Sequence, residues 1–445
     1  MIDQDKSFFE KLNIWVRNSL TIRLLSIGFM ILILLIPASM IESLISERQY
    51  RNDDAKREVS AIWGEIQTIS GPVLTVPFKK SYVNEKKEIY TQTEYAHFLP
   101  ENLAIESVIE PEKRHRGIYD VVVYTTDLKF SGKFNKTNFD DWNIPDKDIL
   151  WKEAYLAVGI TDMRGIKNEM KLNFDKNVFP FNPGLENNDV ISTGVSTRIN
   201  ISENNEIENE FTFNIKLRGS EELYFIPVGK TTEINMKSIW SNPSFQGAYL
   251  PENHNITKDG FDANWKVLHL NRNYPQKWLG SQYQIANSAF GVSLIIPVDH
   301  YQKSMRSAKY AIMIISFTFL IFFFVEVLNK KRIHPIQYLL VGLALIIFYA
   351  LLLAISEHLN FNIAYAISSI ATISLITLYS KSIFKDNLQT AITGLTLIIL
   401  YVFIYITLQL QDYALLMGSI GLFIVMAIVM YLSKKINWYS FASND

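Results

Sequence analysis

Residues 323–342, FFVEVLNKKRIHPIQYLLVG, put a glutamate and a histidine where an apolar run meets a basic turn. Ionisable groups at membrane depth are costly to keep there, so each is a functional candidate by default. Two chemistries fit Glu326 and His334. One is a proton relay or metal site. The other is a hairpin turn, with Glu326 sharing a helix face with Lys330 four residues on and His334 just before Pro335, which suits a first helical turn. A second pair, Glu357 and His358, falls in a later loop where water can reach it. The stretch EKRHRGIYD (112–120) sets Lys113, Arg114, His115 and Arg116 before a turn glycine. Such a cluster suits an anionic lipid headgroup or a cell-wall carboxylate, or is a solvated strand end paired with nearby acids. Arg116, Glu326, His334, Glu357 and His358 are therefore the candidate binding residues.

Other signatures fail on spacing or composition. VGKTTE (228–233) resembles the end of a phosphate loop, but the required glycine five residues before Gly229 is Tyr224, and TTEINM alternates like a strand. No nucleophile elbow, paired-histidine zinc motif or calcium loop occurs. The chain has no Cys, which excludes disulfides, thiolate catalysis and iron–sulfur clusters. His97, His115, His254, His269 and His300 lack ligand spacing and read as surface or hydrogen-bonded strand histidines. Neither an enzyme, a metal nor a cofactor is expected. Ala364, Ser368 and Thr372 recur every four residues, a small-residue stripe suited to helix packing or, more sharply, to a polar path.

The elements that hold these residues follow from the apolar runs. A bilayer core needs about 20 apolar residues in a helix. Leu24–Ile41 supplies the first, too long and too poor in a small-residue cleavage site for a removed signal peptide. Five more follow: Tyr310–Leu328, Ile336–Ile355, Ile363–Tyr379, Gln389–Leu410 and Tyr413–Leu432. Lys and Arg in short loops set orientation. They gather before the first run (Lys6, Lys11, Arg17, Arg23), at Lys330–Arg332, at Lys381 and Lys385, and at Lys434–Lys435, while SEHLNFN and QD carry none. The alternation places both termini in the cytoplasm and the long segment after the first run outside.

That long segment alternates with period two and is rich in β-branched and aromatic residues, as in YDVVVYTTDLKFSGKF, EFTFNIKLRG and GKTTEINMKS. The expected fold is an α-helical multi-pass membrane protein of six transmembrane helices with a large extracytoplasmic, mainly antiparallel, sandwich-like β domain. The expected boundaries are a cytoplasmic segment 1–22, a first span 23–45, a juxtamembrane helix 46–70 broken by Gly71 and Pro72, a β domain 71–309, a five-helix bundle 310–432 and a cytoplasmic tail 433–445. The chain's 43 Lys and Arg against 44 Asp and Glu give no electrostatic reason to bind nucleic acid. The lipid bilayer is the expected partner.

The run from Phe290 to Ser380, with SGPVLTVPF, FLPENLAIESVIEPEKRHRGIYDVVVYTTDLKFSGKF and DMRGIK earlier, closely resembles the CreD family of inner-membrane proteins along nearly the whole chain. The resemblance implies a bacterial inner-membrane protein serving cell-envelope integrity, linked to a two-component regulatory system, colicin tolerance and the β-lactam response. Envelope proteins or cell-wall components join the bilayer as expected partners. It brings no catalytic residue. Three functions compete: an external β domain that binds an envelope component or partner protein; a transporter or channel in the helical bundle for a lipid or envelope-derived solute; and a membrane hydrolase.

Overall fold

The computed structural model describes residues 20–199, 201, 209–296, 300–329, 331–410 and 413–434. The chain divides into two compact units: Met1–Arg51 with Val298–Asp445, and Asn52–Pro297.

Helix α1 runs from Leu20 to Trp63, about 66 Å at 1.5 Å per residue, so it is longer than a span requires. It ends short of the expected residue 70. Gly64 adopts φ +145°, and a side chain there would meet the Arg218 carbonyl oxygen at 2.8 Å, so the backbone turns in the left-handed region against a neighbouring strand. Gln67 already opens a strand, and Gly71 and Pro72 lie inside it rather than breaking a helix. Their peptide bond is cis, and the strand register shifts between Ser70 and Val73. Pro72 has no N–H to give a ladder, so a central strand accommodates it at such an irregularity.

Seventeen strands follow among the described residues: β1 (Gln67–Val83), β2 (Ile89–Phe98), β3 (Asn102–Arg116), β4 (Tyr119–Phe134), β5 (Tyr155–Ile160), β6 (Lys171–Phe174), β7 (Asn177–Pro180), β8 (Asn182–Pro183), β9 (Gly194–Arg198), β10 (Asn209–Ser220), β11 (Glu222–Phe225), β12 (Thr231–Ser238), β13 (Pro243–Gly247), β14 (Asn253–Thr257), β15 (Gly260–Leu268), β16 (Lys277–Leu279) and β17 (Phe290–Leu294). They form two sheets. One runs β13-β17-β11-β1-β5-β9-β8, with β2 also on β1 and β16 on β2; the other runs β14-β15-β12-β3-β4-β10-β6-β7. Most pairs are antiparallel, but β1 pairs with β11 and β3 with β12 in parallel. The sheets are thus mixed. A parallel pair needs a long crossover, and the chain between β3 and β12 spans eight strands in sequence.

The alternation in sequence becomes burial. In β3, Leu103, Ile105 and Ile109 face inward while Glu106, Val108 and Glu110 face out. Residues of both sheets share one apolar core, including Leu74, Val76 and Val158 of the first and Phe130, Phe213 and Trp265 of the second. Phe130 and Phe213 stack at 4.6 Å. The sandwich closes because each sheet has one apolar face to bury.

In the other unit a short helix α2 (His300–Lys309) precedes α3 (Ala311–Leu328), α4 (Pro335–Ser356), α5 (Phe361–Phe384), α6 (Asn387–Gln409) and α7 (Ala414–Ser433). Residues 300–309 are therefore helical, a correction to the β domain drawn through 309. The segment is polar, but its Tyr301, Ser304, Ser307 and Ala308 are buried along one face. Among the described residues six helices, α1 and α3 to α7, are long and apolar enough to cross a membrane. Polar caps start three of them. His334 accepts from the Ile336 N–H at 3.3 Å, Asn360 from Ile363 and Asp386 from Leu388, each satisfying a backbone donor that the first turn leaves open.

Candidate functional site

The β unit carries a groove of about 680 Å³ on the solvent face of the second sheet. Register builds its floor. Asn253 stands opposite Asn264, Asn264 opposite Asn235 and Asn235 opposite Glu106. These four residues form one row across β14, β15, β12 and β3. Neighbouring strands lie about 4.8 Å apart, so the row is about 14 Å long. The Asn264 amide NH2 donates to the Asn235 carbonyl at 2.6 Å, and Lys237 pairs with Asp262 at 3.2 Å beside it. His254 lies against the Phe245 ring. An amide offers both donor and acceptor, so such a floor suits an uncharged polar ligand.

The residues singled out by sequence do not converge on this groove. Arg116 ends β3 at the two-residue turn containing Gly117, whose φ is +63°. It pairs with Glu58 at 3.0 Å and is 65% exposed. His115 bonds Asp120 at 2.7 Å, Arg114 bonds Glu112 and stacks on the Trp63 ring at 4.3 Å. The basic run is a strand end met by local acids.

Glu326 is buried near the end of α3. Its Lys330 partner of the sequence reading lies outside the described residues. The carboxylate instead accepts from Arg23 of α1 at 3.1 Å and from the Tyr338 hydroxyl of α4 at 3.0 Å. His334 is separate from this cluster and acts as the α4 cap, its own N–H donating to Gln337. Glu357 corrects an expectation of solvation: its side chain is only 8% exposed, with Arg48 of α1 at 3.7 Å and the Tyr301 hydroxyl at 3.2 Å. His358, next to it, is exposed. Each glutamate thus holds one arginine of α1 and one tyrosine. Arg23 and Arg48 are 25 residues apart, about 37 Å along a helix, against a hydrocarbon core of about 30 Å. Between them Leu34 packs on Gly342 of α4, where a side chain would meet it at 2.1 Å. Sequence spacing concealed both clusters, because α1 lies some three hundred residues from its partners.

Ala364, Ser368 and Thr372 are buried along α5. The hydroxyls of Ser368, Ser369, Tyr349 and Tyr401 have no hydrogen-bond partner among the described residues. In the β unit His97 is buried, its Nδ1 3.0 Å from the Thr75 hydroxyl and its Nε2 3.3 Å from Asp189. Burial lowers the His97 pKa below its ordinary value, with the Asp189 hydrogen bond pulling the other way. Asp162 balances differently: burial would raise its carboxyl, but hydrogen bonds from the Arg164 side chain and from the Glu65 and Arg164 N–H groups hold it below the usual range. Among the described residues no group of three or more His, Asp or Glu is arranged to hold a metal ion.

The comparisons agree with this architecture. Inner membrane protein CreD of Escherichia coli (strain K12) is 30% identical over 424 residues, covering 93% of this chain and 92% of the relative. The family profile described as "Inner membrane protein CreD" matches residues 19–439, across both units, and the chain belongs to the CreD family of multi-pass inner-membrane proteins.

Proposed function

We propose that this protein supports cell-envelope integrity by binding an envelope component or partner protein through its β unit, without catalysing a reaction. The groove on the second sheet carries the reading, as an open polar concavity away from the sandwich core. The basic loops of the membrane unit support an orientation with both termini in the cytoplasm and the β unit in the periplasm.

Thr75, His97 and Asp189 share the residue types of an acyl-transfer triad, yet Thr75 and His97 are 2% and 1% exposed. The void beside them is about 10 Å³, room for about one water. That favours a buried hydrogen-bond network over a hydrolase. Photo-crosslinking in intact cells from a probe replacing Lys237, at the groove, tests the reading. A specific glycan or protein adduct is expected; adducts no different from those of a probe at Lys176, on the far side of that sheet's strand order, overturn it.

The runner-up is a transporter or channel for a lipid or envelope-derived solute, favoured by the unpartnered buried hydroxyls of α4, α5 and α6. Against it, the one carboxylate within α3 is already held by Arg23 and Tyr338. Glu326→Gln with an intact envelope phenotype would remove the proton-coupled version.

A further inference from the structure

We propose that the asparagine row binds a neutral oligosaccharide bearing hydroxyl and acetamido groups; this rests on the envelope-binding reading and names its ligand class. The Asn264–Asn235 hydrogen bond uses one donor and one acceptor. It leaves the Asn235 NH2 and the Asn264 carbonyl available, side by side across two strands. Sugar hydroxyls and acetamides both donate and accept, so they complete such a pair from either side. The row continues to Asn253 on one flank and Glu106 on the other, an extended track suited to a short oligosaccharide lying across the strands.

The lining argues against the other ligand classes. Its charged side chains are one lysine and two carboxylates, Lys237 against Glu106 and Asp262, so it does not attract a polyanion. Val108 is the large exposed apolar residue of the lining, so an acyl chain or an amphipathic helix finds little to pack on. A peptide has one distinct route, pairing with the exposed edge strand β14. Such a ligand would use backbone groups and be insensitive to the asparagine side chains.

The test is titration of the full-length protein in detergent with the tetramer of N-acetylglucosamine, and with maltotetraose as a sugar lacking acetamides, read by saturation-transfer NMR and calorimetry. Binding of the first, alone or more tightly than the second, is expected. The double variant Asn235→Leu, Asn264→Leu should weaken it by about tenfold or more, the size of one or two neutral hydrogen bonds. Because that variant also loses an internal bond, Asn253→Asp serves as a milder change, expected to weaken binding while leaving the melting temperature unchanged. Asn214→Leu, on β10 away from the groove, should leave affinity unaltered. No binding of either sugar at millimolar concentration, or binding indifferent to the substitutions at Asn235, Asn253 and Asn264, overturns the glycan assignment. If a specific protein adduct still forms at the groove in cells, the envelope-binding reading survives that failure; if none forms, both fall.

Discussion

The two units manage charge in opposite ways. In the β unit, ions stand mostly on outer faces in cross-strand pairs such as Lys266–Glu233 and Lys216–Asp127, where water screens them and each contributes little. In the membrane unit, Glu326 and Glu357 are withdrawn from solvent, and each holds both an arginine and a tyrosine. A charge with little water around it must have its lone pairs satisfied by protein. The sandwich therefore draws its stability from apolar packing and uses charge for solubility, whereas the helices use charge to fix where α1 docks.

Substitutions in each unit probe that contrast. The largest effect is expected in the apolar core: Trp265→Ala, at 1% exposure, should cost about 3–5 kcal/mol, seen as an early loss of β-sheet circular dichroism on heating. Glu326→Ala comes next. It removes the carboxylate that Arg23 and Tyr338 share and should cost about 2 kcal/mol, below the range for fully buried pairs because Arg23 is partly exposed. Thermal unfolding in nanodiscs checks it, and Arg23→Leu combined with Glu326→Leu should recover part of the loss. If the single and double variants melt alike, the ion pair is not what holds α1.

A smaller effect is titratable. His97 has a lowered folded pKa, so the unfolded chain takes up the proton first. Its stabilising contribution is fully present above about pH 6.5, the ordinary histidine value, and is lost as pH falls through the lower folded value. Chemical denaturation between pH 7 and 5 should show this decline, and His97→Gln should flatten it. The smallest change is Arg116→Ala. With the pair to Glu58 on an open strand end, the melting temperature should move by no more than about 1 kcal/mol implies.

What could be read along the chain was whatever depends on near neighbours. Alternation of apolar and polar residues located β4, β10 and β12, and apolar length located the spans, because both periodicities are local. Turn chemistry was harder. Gly71 and Pro72 look like a helix stop, yet the helix stops at Trp63 because Gly64 must pass close to Arg218, more than a hundred residues away. The parallel pairings β1–β11 and β3–β12 were likewise invisible, since nothing local distinguishes a strand's distant neighbour.

The candidate residues divide along the same line. Glu326 could be picked out as a costly charge from its position in apolar sequence, whereas Glu357 reads in sequence as a loop residue open to water. Their partners Arg23, Tyr338, Arg48 and Tyr301 appear only when α1 lies against the other helices. Asn235, Asn253 and Asn264 are unremarked polar positions in three separate strands, and strand register alone aligns them into a row. Composition and periodicity are enough to make a six-span membrane protein with a β sandwich, because burial of apolar surface depends on pattern. Which ion meets which, and where amides line up, depends on contacts between residues far apart in the chain, and those are set by folding.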